Sequence, residues 1–62
     1  MPYVNIRVAG KLSKKQKKNI SKGVTDVLVK EANKPPETVL IMIDELPHEN
    51  IAKSGKLLTP PK

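Results

Sequence analysis

The chain has 62 residues, enough for one domain (1–62) but too few to bury a large core. It has no cysteine, which excludes a disulfide framework and a thiolate metal site. The formal net charge is +6, from 12 Lys and Arg against 6 Asp and Glu, which favours anionic partners without choosing among them. No apolar run is long enough for a signal peptide or a membrane span, so we expect a cytoplasmic protein with no membrane partner.

The chain opens with Met1 and Pro2, followed by a segment at residues 3–8 that alternates apolar and polar side chains as a β-strand does. Initiator methionine is usually removed before a small residue, and loss of Met1 would leave Pro2 with a free secondary amine. An apolar pocket would lower the pKa of this amine and suit it to proton transfer. Alternatively, Pro2 only opens an edge strand, where its missing N–H costs nothing.

A turn at residues 9–11 separates this strand from a predicted helix. Ser13 and Gln16 fit a capping box at the helix start. An apolar stripe follows at helical spacing, formed by Ile20, Val24, Val27 and Leu28. The helix should end near Asn33, because Pro35 and the proline after it cannot continue it. The early helix also carries four cations, which form either a solvated face or an anion-attracting rim: Lys14, Lys15, Lys17 and Lys18.

A continuous apolar run at residues 39–43 predicts a second strand, covered on both faces as in a parallel pair. Asp44 and Glu45 should end this strand and face opposite ways. Residues 51–58, with Ser54 and Gly55 in the middle, predict a short hairpin. The expected fold class is therefore α/β (α+β): a β-α-β subunit with a parallel strand pair and a short C-terminal hairpin. One helix covers only one face of such a sheet, so we expect another copy of the chain to cover the other face, in a homo-oligomer.

Standard catalytic motifs are absent from the sequence. Gly55 and Lys56 lack the other residues of a phosphate-binding loop. His48 lies in a polar loop, where we expect it to be exposed; it is an improbable base for a serine nucleophile and cannot by itself form a metal site. The net charge leaves nucleic acid open as a partner, but a single aromatic residue, Tyr3, is a poor stacking surface, so we do not expect nucleic acid to bind.

Pro2 and the order of the predicted strand, helix, strand and hairpin together resemble the 4-oxalocrotonate tautomerase family over nearly the whole chain. Residues 2–6 (PYVNI) look like the opening strand of that family, and residues 12–17 (LSKKQK) look like its helix start. Residues 39–45 (VLIMIDE) look like its second strand. Residues 47–50 (PHEN) and 54–57 (SGKL) look like the terminal loop and hairpin of the family. The resemblance rests on the combination of length, Pro2 and segment order.

This resemblance implies a dimer or hexamer of β-α-β subunits with active sites lined by several subunits. The implied activity is a cofactor-free isomerase that moves a proton in enol–keto or double-bond isomerisation of a small 2-oxo or 2-hydroxy acid. Pro2 matches the amino-terminal proline that serves the family as general base. Two other readings stay open: a non-catalytic oligomeric scaffold of the same fold, and a basic module that binds anions or nucleic acid.

The chain departs from the family's pattern at three positions. Leu12, or Lys11 after a one-residue slip, stands where the first substrate-binding arginine is expected. Leu40 stands at the position of the second arginine, and Ile51 at that of a pocket aromatic residue. Lys11, Arg7 and Lys53 are the candidate cations for an acidic substrate. With no arginine at these positions, we expect a more apolar pocket than in the best-known family members.

Overall fold

The computed structural model describes residues 1–61 and confirms the β-α-β architecture. A strand, a long helix and a second strand follow one another, and a two-strand hairpin comes last. The elements are β1 (Tyr3–Ala9), α1 (Lys14–Ala32), β2 (Leu40–Leu46), β3 (Ala52–Lys53) and β4 (Lys56–Leu57). Two short 3-10 turns, Pro36–Thr38 and His48–Asn50, flank β2.

Local sequence signals set both ends of α1. The Ser13 hydroxyl accepts a hydrogen bond from the Gln16 backbone N–H at 3.1 Å, and the Gln16 side chain accepts one from the Ser13 N–H at 2.8 Å. The predicted capping box is thus confirmed. Asn33 caps the other end in the left-handed conformation, with φ 57°, which asparagine tolerates better than most residues.

β1 and β2 pair in parallel, and the register places Tyr3 opposite Leu40 and Arg7 opposite Asp44. The side chains of β1 alternate between half-buried and exposed. On the covered face of the sheet, which includes Val4, Ile6 and Val8, the side chains are half-buried. On the open face the register places Tyr3, Asn5 and Arg7 beside Leu40, Met42 and Asp44. Apolar side chains on this open face are left to solvent in a single chain: Tyr3 is 69% exposed, Leu40 44% and Met42 41%.

A single chain does not enclose a core. Among the residues described, none is fully buried. The radius of gyration of 14.4 Å exceeds the roughly 10.6 Å expected for a compact domain of this length. The exposed surface of 5250 Å² is similarly larger than the roughly 4,000 Å² expected for a compact monomer of this mass. The subunit is therefore an open layer of one sheet and one helix.

Three predictions need correction. β2 runs to Leu46, so Asp44 and Glu45 lie inside the strand, because its pairing with β1 continues to Ala9. Val27 is exposed while the other three members of the apolar stripe are half-buried, since it lies at the edge of the stripe. His48 is half-buried and begins a 3-10 turn, because it packs against Gly10.

The predicted hairpin is confirmed. β3 and β4 pair antiparallel, with Ala52 opposite Leu57 and Lys53 opposite Lys56. Ser54 and Gly55 connect them with φ of 52° and 79°, the left-handed pair typical of two-residue hairpin turns. Lys62 lies outside the described residues.

Candidate active site

Pro2 and Leu40 lie at one end of the two-stranded sheet. We call this end the amino end, and it consists of Pro2, Tyr3 and Leu40. The Pro2 carbonyl accepts a hydrogen bond of 3.0 Å from the Leu40 N–H, which fixes the start of β1 against the start of β2. Pro2 is half-buried, while Tyr3 and Leu40 present apolar surface on the open face. The amino end, as defined, therefore carries no charged side chain.

Arg7 lies on the open face near the middle of the sheet and pairs with Asp44 across the strands. The Arg7 Nε–Asp44 Oδ2 distance is 3.4 Å, and the Arg7 side chain is 70% exposed. The Asn5 amide donates a hydrogen bond to the same carboxylate oxygen at 3.4 Å. Arg7 thus already has an anionic partner within its own subunit.

The opposite end of the sheet, the carboxyl end, consists of residues 10–12 together with Glu45 and Leu46. The chain turns here between β1 and α1, and Gly10 adopts φ 91°, a conformation that favours glycine. The Gly10 N–H donates to the Leu46 carbonyl at 2.7 Å. The Leu12 N–H donates to the Glu45 carboxylate at 3.0 Å. Both backbone donors that flank Lys11 are therefore held by β2.

Glu45 connects this turn to the helix. Its second carboxylate oxygen forms an ion pair with the Lys17 ammonium, and the Glu45 side chain is only 26% exposed. The Lys17 ammonium, together with the Leu12 N–H, holds the pKa of the Glu45 carboxyl below its usual range. Asp44 and Glu45 thus point to opposite faces of the sheet, as predicted, and do not form a carboxylate pair.

A cavity of about 390 Å³ opens at the carboxyl end, lined by Gly10, Lys11, Glu45, Leu46 and Pro47. Lys11 is exposed at this cavity and forms no ion pair within residues 1–61. His48 packs beside the cavity, so close to Gly10 that a Cβ atom there would lie 3.1 Å from the His48 Cε1 atom.

Apart from Pro2 and Leu40, the structure does not bring the predicted site residues together around Pro2 within one subunit. Pro2 and Lys11 lie beyond opposite ends of β1, which has seven residues, and a rise of ~3.3 Å per residue separates them by more than about 20 Å. Leu40 is the only other predicted site residue hydrogen-bonded to Pro2 in the described chain. Ile51 is half-buried next to the hairpin, and Lys53 is exposed on β3.

Sequence reasoning missed the contacts that Glu45 makes with Leu12 and Lys17. The signal was present: Glu45 is two residues from Ile43 and four from Ile41, so strand alternation places it on the covered face beneath the helix. A carboxylate on that face requires a donor. The identity of its partners depends on the packing of α1, which the sequence does not specify.

Residues 1–61 contain neither a candidate metal site nor a helix that could span a membrane. No group of three or more His, Asp or Glu side chains in this part of the chain could hold a metal ion. α1 is too polar to cross a membrane, and no other described helix is long enough to do so.

Comparison with known proteins identifies the family. The family model described as "Tautomerase enzyme" matches residues 2–60, and the chain therefore belongs to the tautomerase family. The chain is 38% identical to probable tautomerase K2 of Dickeya dadantii (strain 3937), over 95% of this chain and 90% of that protein. It is 32% identical to a probable tautomerase of Helicobacter pylori (strain ATCC 700392 / 26695), over 90% and 87% of the two chains.

Solved structures agree with this assignment. The crystal structure of DmpI from Helicobacter pylori matches with a TM-score of 0.84 and 29% identity, over 90% of this chain and 88% of that one. A 4-oxalocrotonate tautomerase isozyme structure from Methylibium petroleiphilum matches with a TM-score of 0.85 and 25% identity, over 90% and 88%. The resemblance inferred from Pro2 and the segment order is confirmed at the level of family and fold.

Proposed function

We propose that this protein is a cofactor-free tautomerase in which Pro2, freed by removal of Met1, is the general base. The Pro2 nitrogen takes the proton from the enol hydroxyl or the acidic carbon of the substrate. The resulting prolinium returns a proton to carbon, which moves the double bond and regenerates the amine. The reaction balances without an oxidant, a reductant or a metal ion.

The observation that carries the proposal is the position of Pro2. Pro2 is half-buried and immediately precedes β1 at the largely apolar amino end of the sheet, where its carbonyl accepts the Leu40 N–H. Desolvation at such a place disfavours the charged amine and lowers its pKa toward working pH, where a general base is most useful. The family match begins at this same residue.

A complete site in this proposal needs more than one copy of the chain. Pro2 and a cation at the carboxyl end are too far apart to share a substrate within one subunit. A second copy that covers the open face would bury Leu40 and Met42 and could bring a carboxyl end to the neighbouring Pro2. We propose a dimer or a hexamer. Sedimentation that gives a folded monomer at micromolar concentration would contradict this part of the proposal.

The proposed substrate is a small 2-oxo or 2-hydroxy acid with one carboxylate, or a neutral enol. Lys11 is the best-placed candidate cation, because Arg7 is paired with Asp44 and Lys53 lies on the hairpin. A lysine binds a carboxylate less directionally than the two-pronged contact of an arginine. With Leu12 and Leu40 at the family's arginine positions, aryl pyruvates should be better substrates than dicarboxylates. Efficient turnover of 2-hydroxymuconate would contradict this substrate range.

The direct test compares two preparations of the same chain, one with Met1 removed and one that retains it, each verified by mass spectrometry. Both are assayed for ketonisation of the enol of phenylpyruvate. The Met1-free protein should be active and the retained form inactive, since an amide nitrogen cannot accept the proton. Equal rates above the uncatalysed reaction would eliminate Pro2 as the base, and inactivity of both preparations would favour the non-catalytic scaffold. Protein isolated from its native host should lack Met1.

A further inference from the structure

Glu45 stands out among the groups that the proposed mechanism does not use. It is a carboxylate on the covered face of the sheet, and it binds two elements at once, through the Leu12 N–H at 3.0 Å and the Lys17 ammonium. Neither contact touches Pro2, which lies at the other end of β1. A residue that served only to end a strand would not need two partners from separate parts of the chain.

The geometry of the turn explains what these contacts hold in place. Only residues 10–12 separate the end of β1 from the helix cap at Ser13. Gly10 is fixed by Leu46, Leu12 by Glu45 and Ser13 by Gln16. Lys11 is the residue between the first two anchors, so its Cα position follows from theirs. Without the contact to Glu45, Leu12 would be held in place only by the helix cap at Ser13, the next residue.

The charge arrangement assigns separate roles to the two lysines. Lys17 and the Leu12 N–H together occupy both oxygens of Glu45. Lys11, which lines the same cavity, is left without an ion pair in the described chain. Lys11 acts on Glu45 only through space and makes no direct contact with its carboxylate, so its ammonium can bind a ligand carboxylate.

We propose that Glu45 is a positioning residue: it holds the turn at residues 10–12 through the Leu12 N–H, so that Lys11 can bind the substrate carboxylate. Lys17 supports this role by keeping the Glu45 carboxylate oriented and ionised. This inference rests on the proposed function for the identity of the ligand. It adds a residue that acts through Lys11 and touches no substrate atom itself.

The test measures binding, so that it does not depend on turnover. The probes are phenylpyruvate and its uncharged methyl ester, titrated into Met1-free protein by calorimetry. Lys11→Ala should weaken phenylpyruvate binding by about tenfold or more. Glu45→Ala should weaken it by about threefold to tenfold, and Glu45→Gln, which keeps an acceptor for the Leu12 N–H, should lose less. None of the three should change the affinity for the ester.

The double variant separates positioning from general structural damage. In the Lys11→Ala background, Glu45→Ala should cause no further loss of phenylpyruvate binding, because the cation that it positions is gone. Amide hydrogen exchange at Leu12 should accelerate in Glu45→Ala and not in Glu31→Gln, a control that removes an exposed helical carboxylate. If Glu45→Ala does not fold, Glu45→Gln and Lys17→Met allow the same comparison.

Two results with the variants would overturn the inference. One is an equal loss of binding from Glu45→Ala with and without Lys11, and the other is an equal loss for the acid and the ester. Wild-type protein that does not bind phenylpyruvate would also reject it, and turnover of neutral enols by Pro2 would be unaffected. Binding that depends on Lys11 and Glu45, in a protein without Pro2-dependent turnover, would support the inference while the proposed catalytic function failed.

Discussion

The two ends of the β1–β2 sheet differ in chemistry. The amino end holds Pro2 with a single backbone hydrogen bond to Leu40 and apolar neighbours. At the carboxyl end, the backbone N–H groups of Gly10 and Leu12 are hydrogen-bonded to β2, and Glu45 forms an ion pair with Lys17. Gly10 there has a positive φ. An apolar end suits a neutral amine, and a charged, well-anchored end suits the binding of an anion. Under the proposed function, proton transfer and carboxylate binding belong to different ends of the sheet, and therefore to different copies of the chain.

The largest expected effect comes from changing the base at the amino end. Pro2→Ala, with Met1 removed, keeps a free amine but makes it primary and less constrained. General base catalysis typically contributes about 10²–10⁴-fold, so we expect kcat to fall by at least about tenfold without vanishing. Steady-state kinetics with an aryl enolpyruvate measures this. An unchanged kcat would show that the proline ring is not required.

A smaller change in activity should follow from adding charge to the amino end. Leu40→Arg places at this position the guanidinium expected in the family, and arginine can bind a carboxylate through two parallel hydrogen bonds. We expect kcat/KM for a dicarboxylate such as 2-hydroxymuconate to rise by about tenfold. Leu40→Met is the uncharged control. No gain in dicarboxylate turnover would mean that Leu40 does not face the substrate in the assembled protein.

At the carboxyl end, the turn glycine should have a measurable effect on stability. Gly10→Ala places a side chain at φ 91° and within 3.1 Å of His48. Left-handed backbone costs an L-residue about 1–2 kcal/mol, so the free energy of unfolding should fall by at least this amount in urea titrations. Gly55→Ala is the matched control, with φ 79° and no atom within 4 Å. A loss no greater than that of the control would argue against the contact with His48.

The smallest expected effect is the pH dependence of Glu45. Its pKa is lower in the folded chain than in the unfolded one, because Lys17 and Leu12 stabilise the charged form. The contribution to stability is therefore fully present above the unfolded pKa of about 4.3 and is lost as pH falls through the folded value. Urea midpoints measured from pH 6 to pH 3 should fall less in Glu45→Gln than in wild type. An equal fall in both would contradict the assigned contacts.

The parts of the fold that were predictable are those determined by neighbours in the sequence. Ser13 and Gln16 determine the helix start, Asn33 permits its end, and Ser54 with Gly55 closes the hairpin. These residues act on backbone groups within a few positions, so no tertiary information is needed. The alternation predicted for β1 is also found in the structure, as alternately exposed and half-buried side chains.

The candidate site was less predictable, because its contacts join distant segments. Glu45 meets Leu12 and Lys17 across 33 and 28 positions of sequence, and His48 meets Gly10 only through the path of the chain after β2. Pro2 was singled out by its position in the sequence alone. Its separation from Lys11 follows from strand geometry, and this separation is the reason that a second copy enters the proposal.

The central claim, that Pro2 is a desolvated base, can be tested most directly by measuring the pKa of its amine. Met1-free protein labelled with ¹⁵N at proline can be titrated by NMR, with the urea-unfolded chain as the reference. We expect the pKa of the Pro2 amine to lie lower in the folded protein than in the unfolded chain, and to coincide with the ionisation on which kcat/KM rises. Two results would contradict the account: a pKa of the Pro2 amine that is the same in the folded and unfolded chain, or a kcat/KM that does not change with pH across this ionisation.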